Sequence, residues 1–200
     1  VKLKSPYLIF ICDIDNSIYA KTGLGMAQWY PEKVAGQLRF SGNTLDLGVL
    51  DLSLYEAVKL GVQSLVIGVA PIGESIDNSW VRILAEAVEQ GLDIVSGLHL
   101  RLEDIPGLAT AANTSGAHLV NVRTPPVNLP IGNGLKRSGK RVLMVGTDCA
   151  VGKKYTALAL TNSLNKLNVE ATFRATGQTG IMIAGNGIPI DAVVSDFVSG

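Results

Sequence analysis

The chain has 200 residues, equal numbers of acidic and basic side chains and so a formal net charge of zero, and 47% apolar residues. That balance argues against the broad basic footprint of a nucleic-acid-binding domain, and no apolar run reaches the ~18–20 residues of a membrane span. The length accommodates one large domain or two small ones.

Cys12 and Cys149 stand far apart and make no disulfide framework. Residues 1–6 lack the apolar stretch and small-residue cleavage site of a secretory signal. A reducing cytoplasm is therefore the expected compartment, with no membrane or nucleic-acid partner and room for a homo-oligomer. Many glycines and few aromatics suit an α/β protein with tight turns.

Taken along the chain, residues 7–12 are a wholly apolar run and predict a buried strand. Residues 63–69 predict a second. Residues 78–90 follow a helical period, with Trp80, Ile83, Leu84 and Ala87 on one face and Gly91 as the stop. Residues 93–96 predict a short strand, 105–114 a short helix closed by Gly116, and 118–122 another strand. This alternation implies a parallel sheet with helices on both faces. Its first strand is not followed by Gly-x-Gly-x-x-Gly, so dinucleotide binding of the usual kind is not expected. Pro, Gly and Asn then crowd residues 124–134 and predict a linker. The basic run at 136–141 suits a solvated loop. The expected division is 1–124 for this α/β unit, 125–138 for the linker and 139–200 for the start of a second unit.

Beyond the linker, residues 141–146 predict a strand, 152–167 a helix with Ala157, Leu160, Leu164 and Leu167 on one side, and 171–175 a further strand. Between the first strand and the helix lies Gly146-Thr147-Asp148-Cys149-Ala150-Val151-Gly152-Lys153. A strand, a glycine-bounded turn and a helix opening on lysine are the context of a P-loop. Its inward N–H groups make an anion nest, the helix adds its positive end, and Lys153 reaches phosphate oxygens as a mobile charge. Two departures stand out. Five residues rather than the common four separate the glycines, and Lys154 occupies the place of the Ser or Thr that binds Mg²⁺. Thr156 offers the nearest alternative hydroxyl on that helix. About 60 residues, 141–200, are few for a P-loop sheet, and the expectation is that this unit is incomplete.

The Gly146-Thr-Asp start and Val151-Gly-Lys153 end resemble the P-loop of dethiobiotin synthetase-like enzymes, although those usually continue with Thr where Lys154 stands. With residues 175–180 (Ala-Thr-Gly-Gln-Thr-Gly), 191–200 (Asp-Ala-Val-Val-Ser-Asp-Phe-Val-Ser-Gly), Lys21-Thr22, and the runs at 68–71, 95–99 and 121–126, the chain more closely resembles a two-domain bacterial and archaeal family. That family has long been classed as a domain of unknown function, and one branch is described as D-glutamate N-acetyltransferase. The resemblance runs from about Lys21 to Gly200 and is most specific in the C-terminal motifs. It implies a Rossmann-like domain followed by a P-loop domain, and members that continue well beyond the equivalent of Gly200.

Several side chains are candidates for chemistry. His99, at the expected carboxyl end of a strand, is either a general base or a hydrogen-bonded structural residue. Gln178 would hold a substrate amide, carboxylate or phosphate, or belong to a glycine-rich turn. Asp196 and Asp191 flank an apolar stretch, where one serves as base or metal ligand, or Asp191 caps a helix. Asp148 steers Mg²⁺ and Lys153 or supports its own turn. Arg123 offers a carboxylate clamp or a surface ion pair. Cys149 is a small loop residue or a nucleophile. The catalytic set is thus His99, Gln178 and Asp196, the phosphate-binding set Gly146 to Lys154 with Thr156, and no resident metal ligand is assigned. The resemblance favours acetyl transfer from acetyl-CoA to an acidic amino acid such as D-glutamate. That chemistry needs an anion nest, a base for the amine and donors for the thioester oxygen. The alternatives are an ATP-dependent ligase or kinase of the dethiobiotin synthetase type, using ATP with Mg²⁺, and a non-catalytic nucleotide-binding module.

Overall fold

In the computed structural model, residues 2–70, 76–125, 133–136, 138–148 and 151–192 are described. Five parallel strands form one sheet: β1 (Tyr7–Cys12), β2 (Val34–Arg39), β3 (Ser64–Ile67), β4 (Asp93–Ser96) and β5 (Leu119–Asn121), in the order β2-β1-β3-β4-β5. The strand order reverses between β1 and β3. In open α/β sheets, ligands bind outside the carboxyl ends of the strands at that reversal.

β1 is central and buried along its whole length, as its apolar sequence requires of a strand covered on both faces. Phe10 meets Trp80 edge-on at 5.7 Å and Phe40 at 6.0 Å. Trp80 belongs to α3 (Asn78–Glu89), whose buried residues Trp80, Leu84, Ala87 and Val88 recur at helical spacing. Asp77 caps that helix through the Ser79 N–H at 2.7 Å. α4 (Leu108–Ser115) ends at Gly116 in the left-handed region, as its sequence position predicts. Strands β1, β3, β4 and β5 and helices α3 and α4 lie within a few residues of the expected bounds.

Three N-terminal elements go beyond the sequence reading: α1 (Lys21–Trp29), β2 and α2 (Leu54–Lys59). α2 begins at a capping box between Ser53 and Glu56, a signal present in the sequence. β2 is an edge strand, yet its free edge is covered by residues 45–52. The Gln37 N–H donates to Leu50 O at 2.7 Å and the Leu52 N–H to Gln37 O at 2.9 Å. The buried Gln37 amide also binds Asp46 at 2.9 Å, and Arg39 forms a two-point pair with Asp51 at 2.7 and 2.6 Å. The open cleft lined by Gln37, Arg39, Asn43 and Asp51 is therefore a bracing network whose polar groups satisfy one another.

In the C-terminal region α5 (Lys153–Lys166) forms as predicted. The two strands expected at 141–146 and 171–175 do not form. Val142, Leu143 and Val145 are 72–82% exposed, and both runs are irregular. A strand needs a ladder partner for its backbone groups, and among the described residues neither run has one. The segment for which a glycine-rich turn is one of two readings carries α6 (Gln178–Ala184). Ile181, Met182 and Ile183 bury α6 against α1, which overrides the low helix propensity of Gly180 and the isoleucines. Most of the expected 125–138 linker lies outside the described residues.

Candidate functional site

Each strand of the sheet ends on the side where α1 begins. The Gly23 N–H donates to Gly68 O, just past β3, at 2.8 Å, so the first turn of α1 seats on the strand-order reversal. Gly97, just past β4, is approached by α6. A Cβ on Gly97 would lie 3.2 Å from the Gln178 side chain and 3.0 Å from Met182 Cε. Arg123 Nε donates to Gly97 O at 2.7 Å and ties the end of β5 to the end of β4. Thr22 and Thr179 bring their hydroxyls to 3.2 Å, joining the starts of α1 and α6.

α5 arrives at the same place. A Cβ on Gly25 would lie 2.9 Å from both Tyr155 Oη and Ile183 Cδ1, so glycine leaves room for this close approach of α5 and α6 to α1. Trp29 of α1 stacks on Tyr155 of α5 with ring centroids 5.8 Å apart and planes 12° from parallel. The N-terminal sheet thus has its carboxyl ends covered by the C-terminal unit that bears the P-loop.

The two ends of the P-loop come close together. A Cβ on Gly146 would fall 2.9 Å from Val151 Cγ2 and 3.2 Å from Lys153 Cδ. Gly152 caps α5 with φ at 97°, a left-handed conformation that favours glycine. Lys153 folds back over the loop and its ammonium donates to the Asp148 carbonyl. Thr147, Asp148 and Val151 are exposed on the loop. Thr156, one turn into the helix, donates its hydroxyl to Gly152 O at 3.1 Å and is engaged with the helix backbone. A glycine-bounded curl with a lysine over its mouth fits a phosphate group.

Lys154 turns the other way. Its ammonium lies 4.2 Å over the Tyr155 ring. Burial, and then the charge of Lys21, push it down to about 8. Two consecutive lysines thus have two destinations, Lys153 on the loop and Lys154 at the interface with α1.

Of the catalytic candidates, Gln178 opens α6 beside Gly97, and His99 sits exposed on the bend two residues beyond Gly97. Gln178 thus lies against the carboxyl end of β4, and His99 follows that end along the chain. Asp196, Cys149 and Ala150 lie outside the described residues, as does the Asp191 side chain. Lys21, Trp29, Tyr155 and Thr179 were not singled out from the sequence as site residues. Lys21 and Thr179 stand in runs that carry the family resemblance, whereas Trp29 and Tyr155 are joined by tertiary packing alone.

The fold and loop together define an α/β protein with a Rossmann-like sheet joined to a P-loop unit. Residues 38–125 match a family described as "Domain of unknown function (DUF1611_N) Rossmann-like domain", and residues 130–200 match "Domain of unknown function (DUF1611_C) P-loop domain". The chain belongs to this DUF1611 family. It is 46% identical over 198 residues to a Tritonibacter scottomollicae protein named "D-glutamate N-acetyltransferase", covering 99% of the chain and 60% of that relative. It is 42% identical over 200 residues to a Pseudoalteromonas protein of the same name, covering 100% of the chain and 60% of the relative. A crystal structure of a DUF1611 family protein from Anabaena variabilis superposes with a TM-score of 0.78 at 31% identity, covering 97% of this chain and 60% of that one. The chain therefore spans about three-fifths of the length of these relatives. No helix among the described residues is long and apolar enough to cross a membrane.

Proposed function

We propose that this chain contributes the phosphate anchor and part of the acceptor site of an N-acetyltransferase that moves acetyl from acetyl-CoA to the amine of an acidic amino acid such as D-glutamate. The observation that carries this reading is Lys154. It stands where a nucleotide-hydrolysing P-loop places its Mg²⁺-binding hydroxyl, and it points to α1 rather than to the loop. Thr156, the alternative hydroxyl, is engaged with Gly152 O. A loop of this kind holds phosphates better than it activates them. The name shared by two relatives at 46% and 42% identity supports the same reaction.

Acetyl-CoA supplies an activated thioester together with pyrophosphate and ribose phosphate groups for the nest. Lys153 and the loop from Gly146 to Gly152 hold those phosphates. In the transfer, the acceptor nitrogen bonds to the acetyl carbon, the carbon–sulfur bond breaks, and the proton lost from the amine ends on the departing thiolate. His99 is assigned as the carrier of that proton and Gln178 as a hydrogen-bonding group that orients the acceptor. Asp196 is the third candidate in this set.

Mixing the intact protein with acetyl-CoA and D-glutamate is expected to release free thiol without ATP and with a metal chelator present. ATP-dependent, chelator-sensitive turnover with no thiol release would replace the transferase by a ligase or kinase of the dethiobiotin synthetase type.

A further inference from the structure

Lys21 is the first residue of α1, and Gly25 stands four positions along the same helix face. That face receives Tyr155, because a Cβ on Gly25 would lie 2.9 Å from its hydroxyl. Lys154 precedes Tyr155 and lays its ammonium over the Tyr155 ring at 4.2 Å. Lys21 and Lys154 thus stand at one contact between the two units, where the charge of Lys21 is felt at Lys154. Among the described residues neither forms an ion pair with a carboxylate. Asp13, in the loop before α1, is engaged by the Trp80 indole at 3.0 Å. Lys154 is half-buried while Lys21 is exposed, so the pair is reachable from solvent.

Like charges held together without a counter-charge oppose the packing that brings them there. An oxyanion between them would turn that repulsion into two charge-assisted hydrogen bonds. The Thr22 and Thr179 hydroxyls, 3.2 Å apart, add neutral donors at the starts of α1 and α6. We infer that Lys21 and Lys154 form a receptor for one oxyanion of a substrate, assembled only where the P-loop unit meets the Rossmann-like unit. This deepens the proposed function and rests on it for the choice of occupant. Either a carboxylate of the acidic acceptor or a phosphate of the acyl carrier has the required chemistry.

The test uses the intact protein and two neutral variants that retain the aliphatic stem, Lys21→Met and Lys154→Met. D-glutamate, glutarate, acetyl-CoA and inorganic phosphate are titrated by calorimetry, and melting temperatures are taken without ligand. Each variant is expected to weaken one anion class by about tenfold or more, the scale of one charge-assisted hydrogen bond. Its unliganded melting temperature is expected to stay level or rise, because a repulsion has been removed. Loss confined to D-glutamate and glutarate identifies the occupant as the acceptor carboxylate, and loss confined to acetyl-CoA and phosphate identifies a phosphate. The inference is overturned if the wild type binds none of the four probes. It is also overturned if both variants bind all four like the wild type, or if they lose affinity only together with a lowered melting temperature. Binding that depends on the two lysines without any thiol release would reject the transferase and leave the receptor standing.

Discussion

At the scale of single residues, the two lysines that open α5 take different places. Lys153 has a place that its loop determines, and the loop was legible because glycine spacing and a following lysine are local properties of sequence. The destination of Lys154 was not legible, because it depends on Gly25, Trp29 and Tyr155 meeting across two units. The pH dependence of stability follows from that destination. Burial first, and then Lys21, lower the Lys154 pKa from 10.5 to about 8. A lysine whose folded-state pKa lies below its unfolded value destabilises the fold wherever it is charged. That cost is complete below about pH 8 and disappears as pH rises toward 10.5. The difference in stability between Lys154→Met and the wild type, followed by denaturant unfolding from pH 7 to 10, should therefore favour the variant at the lower end and shrink as pH rises. A difference that stays constant across the range would mean that Lys154 titrates normally.

At the scale of elements, the sheet was legible wherever one strand or helix declared itself. β1 is continuously apolar because both of its faces are covered, and α3 is periodic because only one of its faces is. α1 was hidden because Gly23 and Gly25 weaken a helix, yet those glycines are what allow β3, α5 and α6 to approach it. The strands expected at 141–146 and 171–175 show the converse error, since an apolar run predicts a strand only when a partner is available. The amino end of the sheet is held by a separate cluster. The nearly buried Asp93, which opens β4, pairs with Lys4 at 2.8 Å and accepts from the His118 backbone N–H at 2.8 Å. Desolvation works against its charged form, but the hydrogen bonds from Lys4 and His118 prevail and hold the carboxyl below its ordinary range. A carboxylate whose folded pKa is depressed contributes stability above its unfolded pKa and loses that contribution as pH falls through the folded value. Asp93→Asn should thus cost about 1.5–3 kcal/mol at neutral pH, the scale for hydrogen bonds to charged groups. It should also flatten the loss of stability below about pH 4. Equal acid-unfolding curves for variant and wild type would show that Asp93 contributes nothing through its charge.

At the scale of the whole molecule, α1, α5 and α6 begin together over the carboxyl ends of one parallel sheet. That arrangement sets the unit that bears the P-loop beside the place where such a sheet receives ligands. Each unit alone presents half of the groups: Lys21, Thr22, Gly97 and His99 from one, Lys153, Lys154, Gln178 and Thr179 from the other. In the proposed function the loop from Gly146 to Lys153 anchors the phosphates of an acyl carrier in this composite site. Calorimetric titration of acetyl-CoA into the intact protein and its Lys153→Ala variant tests it most directly. Saturable binding to the wild type without Mg²⁺ is expected, weakened in the variant by about 1.5–3 kcal/mol through the loss of one charged donor. Equal affinity in the two proteins would contradict it.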